Sequence, residues 1–153
     1  MRQLFLIVML LMVVAGCDQG TKVTGKITFE DDGSPLQKGA IVFDDGINSY
    51  LGMIHPNGSY AVGQTKDSQK IPMNKYKVWF SGTERREILY DKNGKDTLQN
   101  ISFPLLLPEF TGYNNTVLEA DVNTPGRMTF DFVVKRHPEW NKQQPYKPKT
   151  NGN

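Results

Sequence analysis

Apolar residues recur at every second position along most of this chain, a period that strands can satisfy and helices cannot. In Lys22-Val23-Thr24-Gly25-Lys26-Ile27-Thr28-Phe29, the residues Val23, Ile27 and Phe29 share one face, and Lys22, Thr24, Lys26 and Thr28 share the other. Successive side chains of a strand point to opposite sides, so this is the pattern of a half-buried strand. Tyr76, Val78 and Phe80 alternate with Lys75, Lys77 and Ser81, and Trp79 interrupts the polar set. Thr116 to Val122 turns Leu118, Ala120 and Val122 one way and Glu119 and Asp121 the other. Met128, Phe130, Phe132 and Val134 alternate with Arg127, Thr129 and Asp131. Ala40-Ile41-Val42-Phe43 is apolar throughout, as expected of a strand covered on both faces. Ser49 to Ile54 and Ser59 to Val62 flank His55-Pro56-Asn57-Gly58, where Asn57-Gly58 offers the positive φ angles of a tight hairpin turn.

About seven strands divided by Gly, Pro, Asp and Asn turns, with no amphipathic helix, predict an all-β fold. The expected architecture is a single antiparallel β-sandwich over residues 22–134, transthyretin-like or Ig-like in size and strand number. Gly82 to Pro108 interrupts the pattern. Thr83 to Tyr90 suits a helical turn or an edge strand, and Asp91 to Asp96 reads as a polar loop. A connection this long inside a compact domain is expected to be functional or mobile.

The chain has 153 residues with 18 Lys and Arg against 16 Asp and Glu, which suits one small domain with extensions. It carries no electrostatic footprint of a nucleic-acid binder, and none is expected as a partner. A single Cys excludes an internal disulfide framework and any multi-thiolate metal site.

That Cys ends a distinctive N-terminal stretch. Met1-Arg2-Gln3 supplies a positive charge, and Leu4 to Ala15 is uninterruptedly apolar. The run has the length of a secretory h-region and is too short to cross roughly 30 Å of hydrocarbon. It closes on Val14-Ala15-Gly16-Cys17, which resembles the lipobox of bacterial lipoproteins. The resemblance implies that residues 1–16 are a signal peptide, that Val14, Ala15 and Gly16 are read by the lipoprotein signal peptidase, and that Cys17 becomes the first mature residue. Cys17 would then carry a thioether-linked diacylglycerol and usually an N-acyl chain such as palmitate, and residues 17–21 would form the tether. Two chains turn marginal membrane binding into stable anchoring. The implied location is the cell envelope, exported and lipid-anchored, with the bilayer as a partner. An ordinary signal peptide that ends near a Cys is the alternative. Asp18 resembles an inner-membrane retention signal of enterobacterial lipoproteins, a rule that is not general, so inner and outer membrane both stay open.

Without residues 1–16, 17 cations face 16 anions. The charge is uneven, because Lys135, Arg136, Lys142, Lys147 and Lys149 near the end meet only Glu139. Residues 135–153 also hold Pro138, Pro145 and Pro148 and few apolar groups, so a basic, disordered or loosely attached tail is expected. Such a tail suits either contact with anionic polymers and headgroups or simple solubilisation.

The order of motifs carries a family resemblance. Val23-Thr24-Gly25-Lys26-Ile27, Gly33-Ser34-Pro35-Leu36, Gly39-Ala40-Ile41-Val42-Phe43, Asn57-Gly58-Ser59-Tyr60, Lys75-Tyr76-Lys77-Val78 and Leu107-Pro108-Glu109-Phe110 follow one another as in small lipoproteins of planctomycete-type bacteria. Those proteins are built on the carboxypeptidase regulatory-like, transthyretin-like β-sandwich, and the chain resembles them from Thr21 to Val134. It departs from them at Asn57, where Asp is common, and at Asn74, where Gly is usual. The resemblance implies a binding or spacer module rather than an enzyme.

The residue inventory points the same way. With Cys17 acylated no thiol nucleophile remains, and the imidazoles are His55 in a turn and His137 in the expected tail. No Gly-rich phosphate loop, HExxH or CxxC occurs, so no catalytic residue and no cofactor is expected. Asp31-Asp32 and Asp44-Asp45, the latter near Asn48, offer oxygens to Ca²⁺, yet Asp-Gly is first a turn signal, and no metal is expected. Glu84 and Glu87 would serve a glycosidase only across a cleft. Asn57, Asn100 and Asn114 head glycosylation-like triplets that a lipobox chain matches by chance.

Exposed aromatics are the expected ligand contacts. Trp79 on the outward face of its strand, with Tyr50 and Tyr113 and also Tyr90 and Trp140, would stack on envelope polysaccharide or insert into a protein partner. Alternatively Trp79 covers apolar surface beneath the Gly82 to Pro108 stretch. The expectation is an envelope lipoprotein acting as a non-catalytic binding, adhesion or scaffold module. The competing class is an accessory domain or enzyme acting on envelope or extracellular carbohydrate, and a plain spacer is a third.

Overall fold

Every alternating segment forms a strand in the computed structural model, which describes residues 20–63, 70–89, 99–138 and 140. Val14, Ala15, Gly16 and Cys17, the tether up to residue 19, the expected loop at 91–96 with Tyr90, and residues 141–153 lie outside the described residues. Among the described residues there are ten strands, β1 (Thr21–Phe29), β2 (Ala40–Asp44), β3 (Ser49–Met53), β4 (Ser59–Val62), β5 (Asn74–Ser81), β6 (Arg85–Leu89), β7 (Gln99–Phe103), β8 (Leu118–Val122), β9 (Gly126–Thr129) and β10 (Phe132–Val134). A 3-10 turn, Pro108–Phe110, precedes β8. Among the described residues no helix is long and apolar enough to cross a membrane.

Two sheets face each other. One is ordered β3-β2-β5-β8 and is antiparallel throughout. In the other, β1 lies between β4 and the pair β9 and β10. The fold is thus the all-β sandwich that the alternation predicts, with one amendment to its pairing. β4 is antiparallel to β1, but β9 and β10 are parallel to it. β6 lies in the stretch Thr83 to Tyr90 that reads as either a helical turn or an edge strand, and it pairs with β7, which the pattern does not pick out, as a separate two-stranded sheet.

The inward faces meet in one core. Val23, Ile27, Phe29, Ile41, Phe43, Tyr60, Val62, Tyr76, Val78, Phe80, Ala120, Val122, Phe132 and Val134 are all buried, and Leu118, Met128 and Phe130 pack against them. At the centre, the Phe43 ring lies 6.0 to 6.3 Å from those of Tyr60, Tyr76, Phe130 and Phe132. Tilted and edge-on contacts of this kind add to the burial of apolar area. Val42 points to the outer face of its sheet and is still buried, so β2 is covered on both sides.

β9 and β10 keep one register along β1, Thr24 facing Thr129 and Ile27 facing Phe132, with a break at Phe130-Asp131. Three bonds close the break. The Phe130 N–H donates to the Thr24 carbonyl at 2.9 Å, the Tyr60 hydroxyl donates to the Phe130 carbonyl at 2.6 Å, and the Lys26 N–H donates to Asp131 Oδ1 at 2.8 Å. Burial, reinforced by Asp131, pushes the Tyr60 phenol well above its ordinary pKa, so the hydroxyl remains a donor. The approach requires a residue without Cβ at position 25, because a Cβ on Gly25 would lie 1.8 Å from the Phe130 oxygen.

The β3–β4 hairpin is looser than a two-residue Asn-Gly turn. The Gly58 N–H donates to the His55 carbonyl at 2.8 Å, and only Gly58, at φ 80°, is left-handed. Among the described residues no other type has positive φ, so Asn57 and Asn74 adopt ordinary backbone. Asn57 instead uses Oδ1 to accept the Ser59 N–H and hydroxyl. Pro56-Asn57 thus makes a type I turn, and Gly58 restores the strand direction.

Candidate binding cleft

β1 runs from Thr21 at one pole of the sandwich to Phe29 at the other, about 26 Å away at the usual rise per strand residue. At the Phe29 pole the chain turns through Glu30 to Leu36, where Leu36 N–H bonds to the Ile27 carbonyl and Phe29 N–H to that of Ser34. β10 ends at this pole, and the residues after it stay there. Leu107 N–H bonds to the Lys135 carbonyl, His137 N–H to that of Leu105, and Trp140 N–H to that of His137. Residues 135–138 and 140, which the charge pattern groups with the tail, are therefore laid along the segment that ends the Gly82 to Pro108 stretch.

Arg136 is the hub of this clasp. Its side chain is only 12% exposed. The guanidinium donates to both oxygens of Asp31, to both of Asp32 at 3.0 and 3.1 Å, and to the Ser34 hydroxyl. Its Cζ lies 3.8 Å from the centre of the Phe29 ring and 4.9 Å from that of Trp140, over each ring. Planar, delocalised and forked, Arg suits stacking and bidentate pairing at once. Burial opposes its charge, but the bonds to Asp31 and Asp32 outweigh that and raise its pKa. The carboxyl of Asp32 is lowered to about 2, first by the Ser34 N–H, then by the Ser34 hydroxyl and Arg136.

Beside the clasp lies a cleft of about 500 Å³ lined by Phe29, Leu36, Leu105 and Trp140, by Pro35 and Pro56, and by the polar Ser34, Gln37, Lys38 and Arg136. Lys38 donates from Nζ to the Glu84 carbonyl at 2.6 Å, which holds one wall to the segment before β6. An apolar, ring-lined hollow with a few polar groups is the usual form of a small-ligand site.

Of the aromatics expected as ligand contacts, Trp140 lines this cleft and Tyr90 lies outside the described residues, whereas Tyr50, Trp79 and Tyr113 do not line it. Tyr50 is 5% exposed and stands edge-on to Tyr76 at 5.9 Å, so its ring belongs to the core. Burial, with Asp45 adding, pushes its phenol pKa up. Trp79 is half-buried on the outer face of its sheet, beside Val42, and its indole N–H is buried with no acceptor. Tyr113 is 37% exposed beneath Lys77, whose Nζ lies 4.6 Å from the ring centre. The cleft aromatics are Phe29, which reads as plain core, and Trp140.

The acidic pairs act as turn and clasp groups. Asp44 accepts the Gly46 N–H and the Ser49 hydroxyl, and Asp45 accepts the N–H groups of Ile47 and Asn48. Among the described residues no three His, Cys, Asp or Glu side chains gather in one place. His55 holds the β3–β4 turn through its backbone.

Fold and cleft together define a small all-β sandwich with a pinned, aromatic-lined hollow at one pole. No family model matches the chain, and no curated protein does. Among solved structures it is similar to a 9R-lipoxygenase from Cyanothece PCC8801, with a TM-score of 0.39 and 14% identity over 78% of this chain and 17% of that one. So faint a likeness, to a protein of which the chain spans about a sixth, says nothing of its activity.

Proposed function

We propose that this chain is an envelope lipoprotein, anchored through acylated Cys17, that holds a ligand in the cleft beside Arg136 and does no chemistry on it. The observation that supports this best is the cleft itself, about 500 Å³, built from chain segments more than 100 residues apart and stiffened by the Arg136 bonds to Asp31 and Asp32. Its size suits one or two sugar rings or a short peptide. Its apolar rings and prolines favour the flat faces of either, and Gln37 offers hydrogen bonds. The non-catalytic reading rests on the carboxylates beside the cleft. Asp31 and Asp32 already accept from Arg136, and Asp32 is held ionised far below neutral pH, so it is not poised as a general acid. Glycan-array and peptide-array binding of the intact protein, followed by calorimetry with Trp140→Ala, tests the proposal. Saturable binding lost in the variant, with the ligand recovered unchanged, is the expected result. Absence of saturable binding on both arrays, or recovery of a cleaved ligand, refutes it.

A further inference from the structure

The pole opposite the cleft has its own character. Thr21 enters there, pairing with Ile71 through bonds of 2.8 and 2.9 Å. Three residues on, Asn74 donates to Asp45 Oδ2 at 3.5 Å, and Asp45 Oδ1 in turn accepts the N–H groups of Ile47 at 2.9 Å and Asn48 at 2.7 Å. These contacts fix the β2–β3 loop at the same pole as Thr21, with Ile47 at its tip 90% exposed and Met73 beside Asn74 41% exposed. A loop so well bonded could have turned a polar residue outward, yet it holds a β-branched aliphatic in water. Lys22, which faces Arg127 in the β1–β9 register, lies at this pole with Lys70 and Lys75. Among the described residues these four cations stand at this pole together with the carboxylates of Asp44, Asp45 and Asp121.

The chain ahead of Thr21 says what this surface meets. Cys17 is four residues away, a span of at most about 14 Å even when fully extended. We infer that this pole rests on the headgroup layer of the membrane that carries Cys17, with Ile47 and Met73 entering the interface and the cations facing anionic headgroups. The inference rests on the lipid-anchor reading and adds an orientation to it. Exposed apolar tips with cations at the same pole suit an interfacial contact, in which side chains sink roughly 5–10 Å into the headgroup boundary. The pole carrying the cleft then faces away from the bilayer.

The test uses the purified, acylated protein in phosphatidylcholine vesicles with and without phosphatidylglycerol. Ile47→Cys or Gln37→Cys adds a free thiol at one pole or the other for an environment-sensitive fluorophore, since the native Cys17 is blocked. The expected result is a blue-shifted label at position 47 that a headgroup nitroxide quenches several-fold more than the label at position 37, more so with the anionic lipid. Equal, water-like emission from both positions in protein that floats with the vesicles overturns the orientation and leaves the anchor intact. Protein that neither floats nor carries acyl mass overturns the anchor, and the orientation with it.

Discussion

The Phe130 carbonyl is shared by two residues distant in sequence, so their substitutions should interact. Tyr60→Phe keeps a ring that is 3% exposed and removes only the hydroxyl that donates to Phe130 at 2.6 Å. A buried carbonyl left without its donor costs about 1–2 kcal/mol. For a domain of this size that lowers Tm by roughly 4–10 °C. Gly25→Ala places a Cβ 1.8 Å from the same oxygen and 2.7 Å from its carbon, so β9 and β10 must move off β1 by over an ångström. Overpacking of that kind, against backbone that cannot rotate away, should cost about 3 kcal/mol or more. Once the carbonyl has moved, the hydroxyl no longer reaches it, and Tyr60→Phe in the Gly25→Ala background should cost about 1 kcal/mol less than it does alone. Urea unfolding of the four proteins, followed by circular dichroism, measures the cycle. Additivity within about 0.3 kcal/mol, or a Tyr60→Phe effect no larger than that, would refute the account of the break.

Two further outcomes follow from particular groups. The Asp32 carboxyl has a folded pKa of about 2 against an ordinary 3.8, so its contribution is complete above pH 3.8 and disappears as pH falls through about 2. Acid titration of stability should show a limb in that window that Asp32→Asn flattens; an unchanged limb would mean that the bonds from Ser34 and Arg136 do not hold Asp32. Trp79→Phe removes a buried N–H that has no acceptor, which offsets the lost ring volume, so its unfolding free energy should change by less than about 1 kcal/mol. A loss of about 3 kcal/mol or more, typical of a deep core truncation, would show that the packing of the ring outweighs the relief of its orphaned N–H.

The strands were legible because alternation is local. β1, β5 and β8 bury the sets that their period picks out, and the turn at Pro56 to Gly58 falls where its residues put it. Pairing direction was not legible, since a strand alternates identically in parallel and antiparallel sheets. β3 was ambiguous in phase, with Tyr50, Gly52 and Ile54 inside but Leu51 and Met53, also apolar, outside. The cleft escaped notice because it is made of long-range pairs. Arg136 looks like one more cation in a basic stretch until it meets Asp31 and Asp32, 105 and 104 residues earlier. A stack of Phe29, Arg136 and Trp140 leaves no periodic trace in a chain.

The parallel run of β9 and β10 along β1 has a mechanical consequence. The chain enters β1 at one pole and leaves β10 at the other. Tension applied between residues ahead of Thr21 and residues beyond Trp140 would slide β1 against its neighbour lengthwise. The bonds between them would carry that load together, in shear, instead of parting one by one like a zipper. A domain strung between a surface and something that tugs on it is well served by such a seam.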